Sequence, residues 1–188
     1  MKTITIFFVT MLTLLNLVNS AKATLYDRGS GLIYDDVLDV TWMQNANYAG
    51  ITMTWDESVS WIDDLVFQGY DDWRLPVTDT ACTGKSCTGS EMGYLFYDYA
   101  VQSATPGLFS NVENFMYWSG TEDTADLTNA WRFSFKYGTQ DVSPKTSKRY
   151  AWAVRDGDAA PPVAPEPISS ILFLTGGATL GLRKLCTR

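Results

Sequence analysis

Histidine is missing from all 188 residues. That absence removes the commonest general base, the usual serine and cysteine triads, and His-ligated metal sites in one step. Basic residues are scarce as well: 14 Lys and Arg stand against 21 Asp and Glu, a net charge of −7. Only three cysteines occur, Cys82, Cys87 and Cys186, and no internal repeat is visible. What the chain does have is aromatic side chains, seven Trp and ten Tyr among them, all between Tyr26 and Trp152.

Apolar runs mark the two ends. The N-terminal one begins after Lys2, extends from Ile4 to Val18, and closes on Ala21-Lys22-Ala23. A positive start, a short apolar run and a small-x-small site together read as an export signal peptide, residues 1–23, removed to leave Thr24 as the first residue. The C-terminal run, Ile168 to Leu182, has 15 residues. As a helix it reaches about 22 Å at ~1.5 Å per residue, against a hydrocarbon core of about 30 Å. Gly176, Gly177 and Gly181 weaken it further. A permanent anchor is expected to be longer and stronger than this.

Residues 24–158 carry nine basic and 20 acidic residues, a balance of −11. Such a surface repels nucleic acid, anionic lipid and polyanionic glycans over a Debye length, and suits neutral or cationic partners. The size fits one domain with its own core. Cys82 and Cys87 frame the Gly-containing loop "CTGKSC", and in an exported chain a disulfide closing that loop is expected. Two thiols with no His nearby do not make a metal site.

Between the tags, Leu32–Tyr34 and Val40–Trp42 read as two strands joined by a turn at Asp35-Asp36. Thr54-Trp55-Asp56-Glu57 is a capping box opening a helix. Trp55, Val59, Ile62 and Val66 share one face of it, and Gly69 is placed to end it. A second helix is predicted after Ser90, with Met92, Leu95, Phe96 and Tyr99 on its apolar face. Three strands complete the reading. They are Phe115 to Thr121, the segment in which Trp131, Phe133 and Phe135 alternate with polar residues, and Arg149 to Asp156 with Tyr150, Trp152 and Val154 inward. A Pro-rich linker follows, residues 159–164.

Two resemblances enter on these residues. Pro165-Glu166-Pro167, the short apolar helix at 168–182, and Arg183-Lys184 resemble a PEP-CTERM sorting signal covering residues 165–188. The resemblance implies inner-membrane anchoring that is transient, an exosortase-type processing enzyme as partner, and delivery to the cell surface or an exopolysaccharide matrix. Residues 24–158 resemble the Lcl C-terminal-like domain, through "GLIYDDVLDVTWMQNANYAG", "MTWDESVSWIDDL", "RYAWAVRDGD" and two especially telling words. Those words are Trp73-Arg74-Leu75-Pro76 and Tyr117-Trp118-Ser119. This second likeness implies an α+β fold related to C-type lectins and formylglycine-generating enzymes, with two helices packed on small antiparallel sheets. It brings no catalytic signature, and the two words are expected to be structural, with Arg74 set to pair with a buried carboxylate.

Other sites weigh less. Asp35, Asp36 and Asp39, and Asp71-Asp72, have the oxygen chemistry for Ca²⁺, but Asp has its own backbone role in turns, so no metal is expected. The Glu-Pro-Asn and Gln-Pro-Asp sugar motifs of calcium-dependent lectins are not found. No spacing singles out a glycosidase carboxylate pair among 20 acids. Nothing around Cys82 and Cys87 resembles an oxidising active site, so no catalytic residue and no cofactor is assigned. The chain is expected to be an exported, non-enzymatic binding module for a neutral glycan or a surface protein, with the ligand residues unassigned. The alternatives are a matrix component without a specific ligand, or an enzyme of the formylglycine-generating-enzyme-like fold.

Overall fold

The computed structural model describes residues 24–159, so Ala21, Ala23, Pro165, Glu166, Pro167, the run 168–182, Arg183 and Lys184 lie outside the described residues. Among those that are described, no helix is long and apolar enough to cross a membrane.

The turn at Asp35-Asp36 organises the first sheet. Strand β2 (Leu32–Asp35) runs into it and β3 (Val40–Met43) runs out, paired antiparallel with Asp35 opposite Val40. Asp35 is fully buried, and its Oδ1 accepts bonds from the Val37 and Leu38 amides at 3.0 and 3.1 Å. A carboxylate taking successive turn amides is the Asx chemistry expected of this residue. Strand β1 (Leu25–Gly29) adds to β2 with Tyr26 opposite Tyr34. Its side chains are mostly exposed or half-exposed, so it carries no apolar alternation and the sequence pattern does not reveal it.

Helix α1 (Trp55–Asp63) opens on the expected capping box: the Glu57 amide donates to Thr54 Oγ1 at 3.3 Å and the Thr54 amide to Glu57 Oε2 at 2.8 Å. It is shorter than the apolar spacing predicts. Asp64 is its C-cap, and Val66 lies beyond it, 68% exposed. Two acids at the helix C-terminus oppose the macrodipole. Gly69 ends no helix. With Gln68 it forms a two-residue hairpin turn, φ 83° and 54°, in which Phe67 and Tyr70 exchange both backbone bonds at 3.0 Å. Positive φ at both central residues is the geometry of a type I′ turn.

Helix α2 (Glu91–Tyr97) starts after Ser90 and buries Met92 and Leu95. Tyr99, expected on its face, lies past its end and donates its hydroxyl to Asp35 Oδ1 at 2.9 Å. Gly93 is required by contact: a Cβ there would stand 1.9 Å from the Cys87 carbonyl oxygen.

The second sheet has the order β4-β7-β6-β5, from β4 (Gly84–Lys85), β5 (Met116–Glu122), β6 (Asn129–Ser134) and β7 (Thr139–Pro144). Strand β7 is invisible to apolar patterning because its buried residues, Gln140 and Ser143, are polar and lie on opposite faces of the strand, 0% and 5% exposed. Gln140 Nε2 donates to the Asp79 and Cys82 carbonyls, tying the Cys82–Cys87 disulfide loop to the sheet. Closing so short a loop stabilises by about 2 kcal/mol. The paired Cys82→Ser, Cys87→Ser variant is expected to lose about that much in urea denaturation. A loss under about 0.5 kcal/mol would mean that β4 and Gln140 hold the loop unaided.

The last predicted strand is corrected. Only β8 (Val154–Asp156) is regular strand, completing the first sheet in the order β1-β2-β3-β8. Ala151, Trp152, Ala153 and Val154 are all at most 1% exposed, so nothing alternates. The segment crosses from one sheet to the other. Tyr150 exchanges bonds with β5, its carbonyl accepting from the Trp118 amide and its amide donating to the Met116 carbonyl. Ala153 then accepts from the Met43 amide of β3. Both of its faces are therefore covered. Around it pack Trp42, Phe109, Tyr117 and Phe135, with ring centroids 5.0–5.8 Å from Trp152.

Candidate ligand cleft

The two telling words lie at this junction. Arg74 and Val154 exchange both backbone bonds, at 2.8 and 3.0 Å. The Pro76 carbonyl accepts from Ser119 Oγ and from the Gly120 amide, each at 2.8 Å. Trp73 and Leu75 are each 4% exposed, and Trp73 Nε1 donates to the Tyr70 carbonyl at 3.1 Å. Trp118 is fully buried, its Nε1 donating to the Met53 carbonyl at 3.0 Å. The Tyr117 hydroxyl accepts from the Glu113 amide at 2.7 Å, and burial raises its pKa. The words thus join the segment 73–76, strand β5 and the crossing segment into one hydrogen-bonded unit.

Arg74 sits at its centre. Nη1 and Nη2 meet Glu91 Oε2 and Oε1 at 2.9 and 2.7 Å; Nε and Nη2 meet Asp156 Oδ1 at 3.0 and 2.6 Å; Nη1 also meets the Leu75 carbonyl at 3.2 Å. A guanidinium has five N–H donors, and all five are engaged. Burial works against its charge, but the bonds and charge of Glu91, then of Asp156, outweigh that and raise its pKa.

A cleft of about 260 Å³ opens beside this unit. Helix α1 supplies Trp55, Val59, Ile62 and Asp63; Arg74, Leu75 and Val77 form the facing wall; Gly120 of β5 completes the lining. The Trp55 indole is fixed from two sides: Nε1 donates to the Ser119 carbonyl at 2.8 Å, and Lys145 Nζ stands 4.3 Å from the ring centroid. Val77 is 46% exposed. Asp63 is exposed and makes no ion pair or side-chain hydrogen bond among the described residues. Apolar walls, one held aromatic and one open acceptor are the usual elements of a small-ligand site.

The other acids do not converge. Asp35 points inward, Asp36 accepts from the Thr24 amide and the Tyr26 hydroxyl, and Asp39 accepts from the Tyr34 hydroxyl. Asp72 pairs bidentately with Arg155 at 2.8 and 2.7 Å, and the hydrogen bond to Arg155 lowers its pKa. Among the described residues no three potential ligands gather around a metal-sized space. The sequence marks Trp55 only as a core-facing helix residue, and nothing in it marks Asp63, Val77 or Gly120. Their only link is the fold, which brings α1 against the 74–77 segment and β5.

No curated protein matches the chain. The model of the Lcl C-terminal domain matches residues 31–155, which include every segment of the junction and every residue of the cleft. The chain belongs to the Lcl C-terminal domain family.

Proposed function

We propose that this is an exported, non-enzymatic binding module of the envelope surface or exopolysaccharide matrix, and that it takes a neutral glycan in the α1–β5 cleft. The observation that carries this reading is the saturation of Arg74. With its five donors engaged internally, the guanidinium offers nothing to an incoming anion. The ligand meets an apolar wall, Trp55 and the open Asp63 carboxylate instead. A neutral sugar fits that set, with C–H faces for the apolar surface and hydroxyls to donate to the acid. The −11 balance of residues 24–158 works in the same direction.

A lectin-like or formylglycine-generating-enzyme-like fold is part of the proposal. It is supported by the order of strands, two helices, then strands, and by β8 returning to the N-terminal sheet. Sorting by an exosortase-type enzyme rests on the tail motif Pro165-Glu166-Pro167 with Arg183-Lys184.

The test is a neutral-glycan array probed with the exported protein and its Val77→Asp variant. Because Val77 is exposed, the variant is expected to keep its melting temperature. A second carboxylate in the apolar wall is expected to weaken the best glycan signal by about tenfold, some 1.4 kcal/mol. No binding by either protein, or equal binding by both, sinks the reading. Retention by native matrix that ignores the substitution would favour a structural component.

A further inference from the structure

The segment at the start of the described chain shows a second coincidence of sequence and geometry. The small-x-small site places the cut between Ala23 and Thr24. Thr24 directly precedes β1, and its backbone nitrogen lies 3.0 Å from Asp36 Oδ1 in the β2–β3 turn. The other oxygen of that carboxylate, Oδ2, accepts from the Tyr26 hydroxyl at 3.4 Å. The carboxylate is thereby oriented from both sides with one oxygen on the Thr24 nitrogen.

We propose that removal of residues 1–23 completes this edge of the sheet: the new Thr24 α-ammonium forms an ion pair with Asp36 and locks β1 to the β2–β3 turn. The proposal rests on the export reading above. The step is a hydrolysis by a signal-peptidase-type protease. Water supplies a hydroxyl to the Ala23 carbonyl carbon and a hydrogen to the Thr24 nitrogen as the peptide bond breaks. The freed amine takes up a further proton at neutral pH. The donor changes from a neutral amide to a cation, so the hydrogen bond to the Asp36 carboxylate becomes an ion pair as well, which is shorter and stronger.

The same edge receives the other end of the domain. Arg28 of β1 grips Asp158 bidentately at 2.8 and 2.6 Å, its guanidinium lying 5.2 and 5.1 Å from the Tyr26 and Tyr34 rings. Anchoring β1 therefore also anchors the residues that lead into the C-terminal linker. Processing at one end steadies the exit of the other.

Charged and titratable neighbours of this corner are Arg28, Asp35, Asp39, Asp98, Asp158, Tyr26, Tyr34, Tyr94 and Tyr99. To isolate the amine from all of them, it is observed directly. The full chain is exported by a host, recovered, and sequenced from its N-terminus. Its α-amine is then converted to the ¹³C-dimethyl form and followed by NMR from neutral to alkaline pH. A free α-amine titrates at about 7.7–8.0. The pair favours the charged form, so the midpoint is expected about 0.3–0.7 pH units above that of the same amine in denaturant. The Asp36→Asn variant is expected to abolish the difference.

The sign follows for stability. A group whose pKa is raised on folding stabilises fully below its unfolded pKa, and the contribution is lost as pH rises through the folded one. The melting temperature of the wild type is thus expected to fall by more than that of Asp36→Asn between about pH 7.5 and 9. A first residue other than Thr24 overturns both the processing and the lock. Thr24 as first residue, with an amine that titrates alike folded and unfolded, overturns the lock alone.

Discussion

Replacing Trp152 by Ala is expected to lower the unfolding free energy by about 3–5 kcal/mol, the range for emptying a large aromatic site in a packed core. The residue is 0% exposed and lies where the two sheets meet. Its ring contacts Trp42 and Phe109 edge-on, at 5.2 and 5.0 Å between centroids, and tilts against Tyr117 and Phe135. Truncation forfeits the apolar transfer, leaves a cavity that four rigid rings cannot close, and strands the Met43 carbonyl, which accepts from Trp152 Nε1 at 2.7 Å. Single domains have about 5–15 kcal/mol in total, so much of the stability goes. Trp152→Phe keeps a ring but loses the donor, and is expected to cost roughly half as much. Urea denaturation with a constant m-value measures both. A loss under about 1 kcal/mol for Trp152→Ala would mean the sheets do not depend on this contact.

The second large effect is expected from Arg74→Ala, at about 3 kcal/mol. Glu91 is only 7% exposed, and Arg74 supplies both bonds to its two oxygens from another side chain. Without the guanidinium a buried carboxylate keeps one amide partner, that of Val77 at 2.7 Å. The cost is chiefly an uncompensated charge rather than lost packing. It follows that Arg74→Ala with Glu91→Gln, which removes the charge, is expected to recover at least about 1 kcal/mol over Arg74→Ala alone. Arg74→Lys is expected to recover less than the native value, since an ammonium cannot span Glu91 and Asp156 as a planar fork does. Additive losses in the double variant would refute the coupling. Asp156 is a lesser partner: its side chain is 80% exposed and solvent screens the pair.

These effects explain why Trp73-Arg74-Leu75-Pro76 and Tyr117-Trp118-Ser119 are the most telling words of the chain. Both are apolar residues around a few groups whose hydrogen bonds must be met internally, and that demand leaves little freedom of residue choice. Local physics is legible in the same way where one segment settles its own geometry. The α1 capping box, the turn at Asp35-Asp36, the β2–β3 hairpin and the Cys82–Cys87 loop are all of this kind. The amino-acid sequence by itself also determined the acid balance, the lack of histidine chemistry and the family.

The tertiary structure decided what depends on distant partners. Strand β7 is held by Gln140 and Ser143, polar residues buried on opposite faces, where the disulfide loop and the Arg149 side chain bond to them. The 151–154 segment lacks alternation because a second sheet covers its outer face. Helix α1 ends early because Asp63 and Asp64 close it while Phe67–Tyr70 turns away. The cleft is of the same kind: Trp55 and Asp63 of α1, Val77 after the 73–76 word and Gly120 of β5 come from three segments that no one pattern links. Periodicity records only which side of one element is buried, whereas a site is made where elements of unrelated periodicity are packed together.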